Sequence, residues 1–140
     1  MHKPAKNAFI GIGWASPPTF IKGANEVMMS TDVQNINECL TNLLSTRLGE
    51  RVLNHGYGTE LSQSVFMVQS SFIASEIKES LERAIKLYEP RINDIQVTVN
   101  VDDFTTGVMS IHISYIVRKV NSRHNFVYPF YFNEGTFLEL

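Results

Sequence analysis

The sequence predicts an α+β fold: two main helices packed on a small, mostly antiparallel sheet, with an irregular N-terminal arm and a C-terminal edge strand. Three observations carry this. Apolar residues recur at helical spacing through Val33–Leu44 and again through Phe72–Tyr88, the period switches to two from Ile95 onward, and the first 29 residues hold "GIGWASPPTF" with no sustained period. A chain of 140 residues fits one ordinary domain, whose folding buries about two-thirds of the surface that the unfolded chain exposes. We expect a single domain over 1–140, with the arm at 1–29 and a globular α+β core at 30–140.

Composition narrows the function classes. With 44% hydrophobic and 19% charged residues, nine Phe and five Tyr, the chain is globular rather than disordered. A net charge of −2 provides no basic stripe for a phosphate backbone, so nucleic acid is not an expected partner. The single cysteine, Cys39, allows no internal disulfide and falls in a helical apolar pattern as a small core residue. No run approaches ~18 apolar residues, and "MHKPAKNAFIGIGW" lacks a signal-peptide core, so neither membrane insertion nor conventional secretion is expected. No cofactor is expected either, because the Gly11–Gly13 pair leads into Trp14 and Pro17-Pro18 rather than into a helix.

Along the chain, Thr31-Asp32-Val33-Gln34 has the pattern of a capping box and opens the first helix, with Val33, Ile36, Leu40, Leu43 and Leu44 on one stripe and Gly49 as a stop. "RLGERVLNHGYGTEL" is a turn-rich connection, with a short extended piece expected at 51–53. The second helix carries Ile73, Ile77, Leu81, Ala84, Ile85 and Tyr88 inward, with Glu76, Lys78, Glu79, Glu82, Arg83 and Lys86 on the wet side. Ile95, Val97, Val99 and Val101 then alternate with polar residues, a turn is expected at 102–107, and Met109 to Val117 alternate again. Residues 120–124 read as a polar break before "NFVYPFYFN". In that last strand both faces are apolar or aromatic, and Pro129 cannot donate to a ladder, which places it at an edge or a bulge. Either a partner covers that strand or its own fold buries both faces.

Chemistry is sparse. Glu50, Glu60, Glu89 and Asp94 are candidate carboxylates for a glycosidase, but none has a partner in a recognisable motif. His2, His55, His112 and His124 are too scattered for local zinc spacings, so no metal site is expected. "KLYEPRI" is more telling: Pro90 ends the helix at Tyr88 and leaves Glu89 and Arg91 on a stiff turn before the next strand. A carboxylate at a helix C-terminus is misplaced by roughly 0.3–1 kcal/mol unless it is partnered. On residues alone, Glu89 and Arg91 either brace the helix–strand junction or dock another protein.

Three stretches together resemble a known family. "LLSTRLGERVLNHGYG", "LYEPRI" and "VNSRHNFVYPFYFNEG" are similar, in order and separation, to motifs of the gene-25-like baseplate wedge proteins of contractile phage tails, type VI secretion systems and phage-tail-like extracellular injection particles. The resemblance spans roughly residues 14–136, with Leu48 where many members carry Pro. It implies a non-enzymatic baseplate component, present in six copies and joining the inner wedge to the first sheath ring. Glu89, Pro90 and Arg91 would dock on the helical core bundle of neighbouring wedge proteins. Asn125, Phe126, Val127, Tyr128, Pro129, Phe130, Tyr131 and Phe132 would accept a sheath strand and template sheath assembly. The resemblance extends the expected partners to tube or hub proteins, and the implied location is the bacterial cytoplasm, then a particle that stays there or is released. The alternative class is a peptidoglycan-cleaving, lysozyme-like hydrolase, which requires an active carboxylate pair.

Overall fold

The computed structural model describes residues 10–61, 71–103 and 108–131. In chain order the elements are β1 (Ile12–Trp14), β2 (Phe20–Ile21), β3 (Glu26–Val27), β4 (Met29–Thr31), α1 (Asp32–Ser45), α2 (Ser71–Tyr88), β5 (Ile92–Asp103), β6 (Val108–Val117) and β7 (Ser122–Tyr131). The chain divides into two compact units, residues 1–42 and 43–140, with the boundary inside α1.

In the first unit, the stretch expected to be irregular is paired. β1 runs antiparallel to β4 and β2 to β3, making a nested hairpin whose tip turns through Gly23 (φ 91°) and Asn25 (φ 52°). Strands of two or three residues are too short to show a period in the sequence, so the pairing was invisible there. Backbone bonds from Ala15 N to Met28 O (2.9 Å) and Met28 N to Thr19 O (2.8 Å) join the two ribbons. The hairpin is anchored on α1. Ser16 N donates to Glu38 Oε2 (3.2 Å), Asn35 Nδ2 donates to Ser30 Oγ (2.9 Å), and a Cβ on Gly13 would lie 2.7 Å from Asn35 Nδ2. The helix starts directly from β4, because Thr31 is still paired with Ile12 and the chain swings into α1 through Asp32 at φ 58°. Gln34, expected to close a capping box, instead reaches forward to Glu38 Oε1 (3.1 Å). Ile36 and Leu40 are fully buried, as their spacing predicts.

The second unit is built on a three-stranded antiparallel sheet in the order β5-β6-β7. α2 packs on β5, burying Ile77, Leu81 and Ile85, while Ile95 and Val97 of β5 and Met109, Ile111, Ile113, Tyr115 and Val117 of β6 fill the same core. Each such side chain contributes roughly 1.5–3 kcal/mol on burial. β5 and β6 pair as far as Asp103 and Val108, and residues 104–107 of the expected turn lie outside the described residues. β7 starts at Ser122, inside the stretch expected to be a polar break. The turn at 118–121 closes through Asn121 (φ 51°), whose amide donates to Val117 O (2.8 Å), so the polar residues that follow are already in register with β6.

The connection at 46–59 folds as closed turns, and 51–53 form no strand. Glu50 N donates to Arg47 O (3.1 Å) around Gly49 (φ 85°), the geometry of a type II turn, and Glu50 Oε2 accepts the Arg47 amide (2.9 Å). Leu48 sits where a type II turn favours proline, but its amide donates to Thr59 O (3.2 Å), a bond proline would forfeit. Gly58 (φ 124°) crosses so close to this turn that a Cβ would lie 2.7 Å from Thr46 O and 2.8 Å from Arg47 O. Backbone cannot move aside as a side-chain tip can. We therefore expect Gly58→Ala to cost about 2 kcal/mol or more, and Gly49→Ala, which meets open space and pays only for its dihedral, about 1–2 kcal/mol. Urea titration of both variants measures the difference.

Candidate functional site: a helix–strand junction and an open strand

Pro90 ends α2 at Tyr88, as expected, and Glu89 N still closes the last helical bond to Ile85 O (2.8 Å). Glu89 does not project from the turn. It is 4% exposed, and Arg91 grips it with both prongs: Nε to Oε1 at 2.6 Å and Nη2 to Oε2 at 2.7 Å. Two residues in a helix would point these side chains apart, whereas the turn at Pro90 brings them face to face. The cation that the misplaced carboxylate requires is therefore supplied two residues away. Backbone bonding then carries the junction into the sheet, with Arg118 N donating to Arg91 O (3.0 Å) and Ile92 paired with Val117.

Parts of the three sequence motifs, represented by Arg51 and Tyr57, Tyr88 to Arg91, and His124, lie around this junction. On its helix side, Arg51 lies over the Tyr57 ring (3.9 Å to the centroid), and Tyr57 meets Tyr88 edge to face at 5.0 Å. Gly56 admits that contact, since a Cβ there would sit 2.9 Å from the Tyr88 hydroxyl oxygen. On its sheet side lies Tyr115, fully buried in β6, with its ring 6.0 Å from that of His124 on β7. Burial pushes the Tyr115 phenol up to about 12, helped by the Glu89 carboxylate and opposed by the Arg91 guanidinium. Sequence reasoning missed Tyr115. Its signal was there, as an aromatic hydroxyl interrupting an aliphatic core stripe.

The two edges of the sheet differ. β5 is broken by register shifts between Asn93 and Gln96 and between Asn100 and Asp103, and Glu82 of α2 accepts the Val97 amide (Oε1, 3.3 Å). β7 instead pairs with β6 without a break from Ser122 to Tyr131, and among the described residues it has a neighbour on one side only. Phe126, Tyr128 and Phe130 are half-buried on the core face, while Val127 (49% exposed), Pro129 and Tyr131 (53%) face solvent with Asn125. Phe132 lies outside the described residues. Residues 125–131 run away from the Glu89–Arg91 junction, toward the end of the sheet where Asp103 pairs with Val108. The structure thus presents two separate surfaces rather than one cleft. Three of the four carboxylates considered for hydrolysis are engaged elsewhere, Glu89 with Arg91, Asp94 with Arg123 and Glu50 with the Arg47 amide, and the fourth, Glu60, is exposed.

The family model described as baseplate wedge protein gp25 matches residues 30–122. The chain belongs to this baseplate wedge family. It is 30% identical over 93 residues to the baseplate wedge protein gp25 of Enterobacteria phage T4, an alignment covering 65% of this chain and 70% of that one. A solved structure from Geobacter sulfurreducens described as a tail lysozyme is similar at TM-score 0.68 and 35% identity, covering 75% of this chain and 95% of that one. A chain of the anti-feeding prophage baseplate shares the fold at TM-score 0.57 and 21% identity, covering 93% and 94%. Both the junction and β6 of this wedge-family chain lie inside the matched span, whereas most of β7 lies beyond it.

The buried pair makes two outcomes measurable. Arg91→Ala leaves the Glu89 carboxylate buried without its cation, and should cost about 3 kcal/mol or more in urea unfolding. A double replacement of both residues by Met should cost far less. The phenol of Tyr115 ionises near 10.0 when the chain is unfolded and near 12 when it is folded. Its contribution to stability is therefore intact below pH 10 and lost as pH rises to about 12, by about 2–3 kcal/mol. Tyr115→Phe should flatten the stability profile by that amount across this window.

Proposed function

We propose that this chain is a non-enzymatic structural component of the baseplate of a contractile injection system, joining the inner wedge to the first sheath ring and templating sheath assembly. The observation that carries the reading is the asymmetry of the sheet. One edge is bulged and capped by Glu82, while the other is long, in register and flanked by exposed Val127, Pro129 and Tyr131. An open, regular edge is an aggregation hazard in a lone protein and an asset in an assembly, where an added strand gains main-chain bonds and side-chain pockets. Residues 125–132 are the segment that takes that strand. The junction at Glu89, Pro90 and Arg91 docks on the helical core bundle of neighbouring wedge proteins, with the ion pair holding the turn's shape. Six copies per baseplate, contact with tube or hub proteins, and synthesis in the cytoplasm before incorporation complete this reading.

Its test separates folding from assembly. Val127→Lys puts a charge on the open edge at an exposed position, so the isolated protein should fold with unchanged stability while particles form baseplates without sheath. Glu89→Gln, whose folding is checked by denaturation, should block wedge incorporation. Normal sheathed particles from both variants would overturn the proposal. The kinship to a protein described as a tail lysozyme is addressed by incubating purified protein with peptidoglycan. Turnover that disappears with Glu60→Gln would establish the hydrolase instead.

A further inference from the structure

β7 has an unsolved problem of register. Side chains alternate with period two, so a slip of one residue against β6 exchanges the faces of the whole strand. For most strands the hydrophobic pattern forbids this. Here the exchange would bring Val127, Pro129 and Tyr131 onto the core face in place of Phe126, Tyr128 and Phe130, apolar or aromatic residues for others of the same kind. Burial alone discriminates weakly between the two registers.

We propose that Arg123, held by Asp94 across the sheet, is the positioning residue that locks β7 in register. Asp94 lies where β5 shifts register, at a left-handed φ of 47°, a conformation that Asp tolerates better than most residues. That irregularity turns its carboxylate onto the solvent face. Arg123 Nη2 bonds Asp94 Oδ2, and Arg123 Nη1 bonds Ser114 Oγ (3.0 Å), so one guanidinium spans all three strands on that face. On the opposite face the next residue, His124, stacks beside Tyr115, with Nε2 2.9 Å from Ser122 Oγ. A slip of one residue would turn Arg123 inward against the buried Tyr115 row, losing both partners and desolvating a guanidinium.

An exposed ion pair is worth only about 0.2–1 kcal/mol by itself. Discrimination comes chiefly from the slipped state, where the charge has nowhere favourable to go. The β5 bulge thus has a double use: it spoils that edge for pairing and delivers the anion that fixes the other. The lock depends on strand pairing alone, whereas its use in presenting a strand acceptor rests on the function proposed above. A template with two registers would present two different surfaces to an incoming strand.

Cysteine pairs read the register in the isolated chain. In a Cys39→Ser background, His112→Cys with Val127→Cys joins residues that face each other in the native pairing, and His112→Cys with Tyr128→Cys or Phe126→Cys joins residues that meet only after a slip. Under mild oxidation the native pair should dominate. Arg123→Ala should raise crosslinking of a slipped pair about fivefold or more and accelerate amide exchange at Phe126, Val127, Tyr128 and Phe130. Asp94→Asn should show a smaller rise, and Arg123→Lys, which keeps the charge, should restore the native pattern. Both sites are about half exposed, so these variants leave the core intact. Unchanged crosslinking and exchange in Arg123→Ala would overturn the lock. Intact register with failed sheath assembly in the Val127 variant would leave the functional reading standing without it.

Discussion

The tertiary structure of the second unit turns on a single ion pair at the point where α2 becomes β5. Pro90 stops the helix, and the chain must reverse within three residues to enter the sheet. A buried carboxylate at that point would be intolerable without compensation, since removing an ion from water costs several kcal/mol. Arg91 supplies it in bidentate form, so the two side chains close the turn between them. The direction of β5, and with it the pairing of Ile92 with Val117, follows from that closure. Glu89, read as a residue in need of a partner, thus has one within its own turn. Bracing and docking are not exclusive, because a braced turn is a preorganised one and costs less to bind.

Around the junction, aromatic residues connect what the sequence keeps apart. Arg51, Tyr57 and Tyr88 join the 46–59 loop to the end of α2, and Tyr115, whose phenol feels the charges of the ion pair, meets the ring of His124 of β7. The loop itself is held by backbone bonds to Thr59 and by two glycines at positive φ, Gly49 and Gly58. Substitutions at Arg51, Tyr57, Tyr88 or His124 therefore perturb one region.

The sheet then divides labour between its edges. α2 and the β5 bulges protect one, and the other is left regular. Exposed apolar side chains on such a strand are costly in a soluble monomer and useful in an assembly. The N-terminal hairpin, anchored on α1 through Ser16 and Asn35, belongs to the other compact unit.

Much of the architecture was legible in the residues. Period 3.6 located both helices, Pro90 located the end of the second, and period two located the strands, because burial of one face leaves a repeat in the sequence. Pro129 and the aromatic character of both faces pointed to an edge before any pairing was known. What escaped were interactions without periodicity. The paired arm, the forward turn of Gln34, the start of β7 at Ser122, the grip of Arg91 on Glu89 and the strap from Asp94 to Arg123 all depend on where the chain brings residues in space. Local pattern determines which side chains a segment must bury. Only the folded chain decides which charges meet, because an ion pair is selected by distance and desolvation, and neither is written in the spacing of residues along the chain.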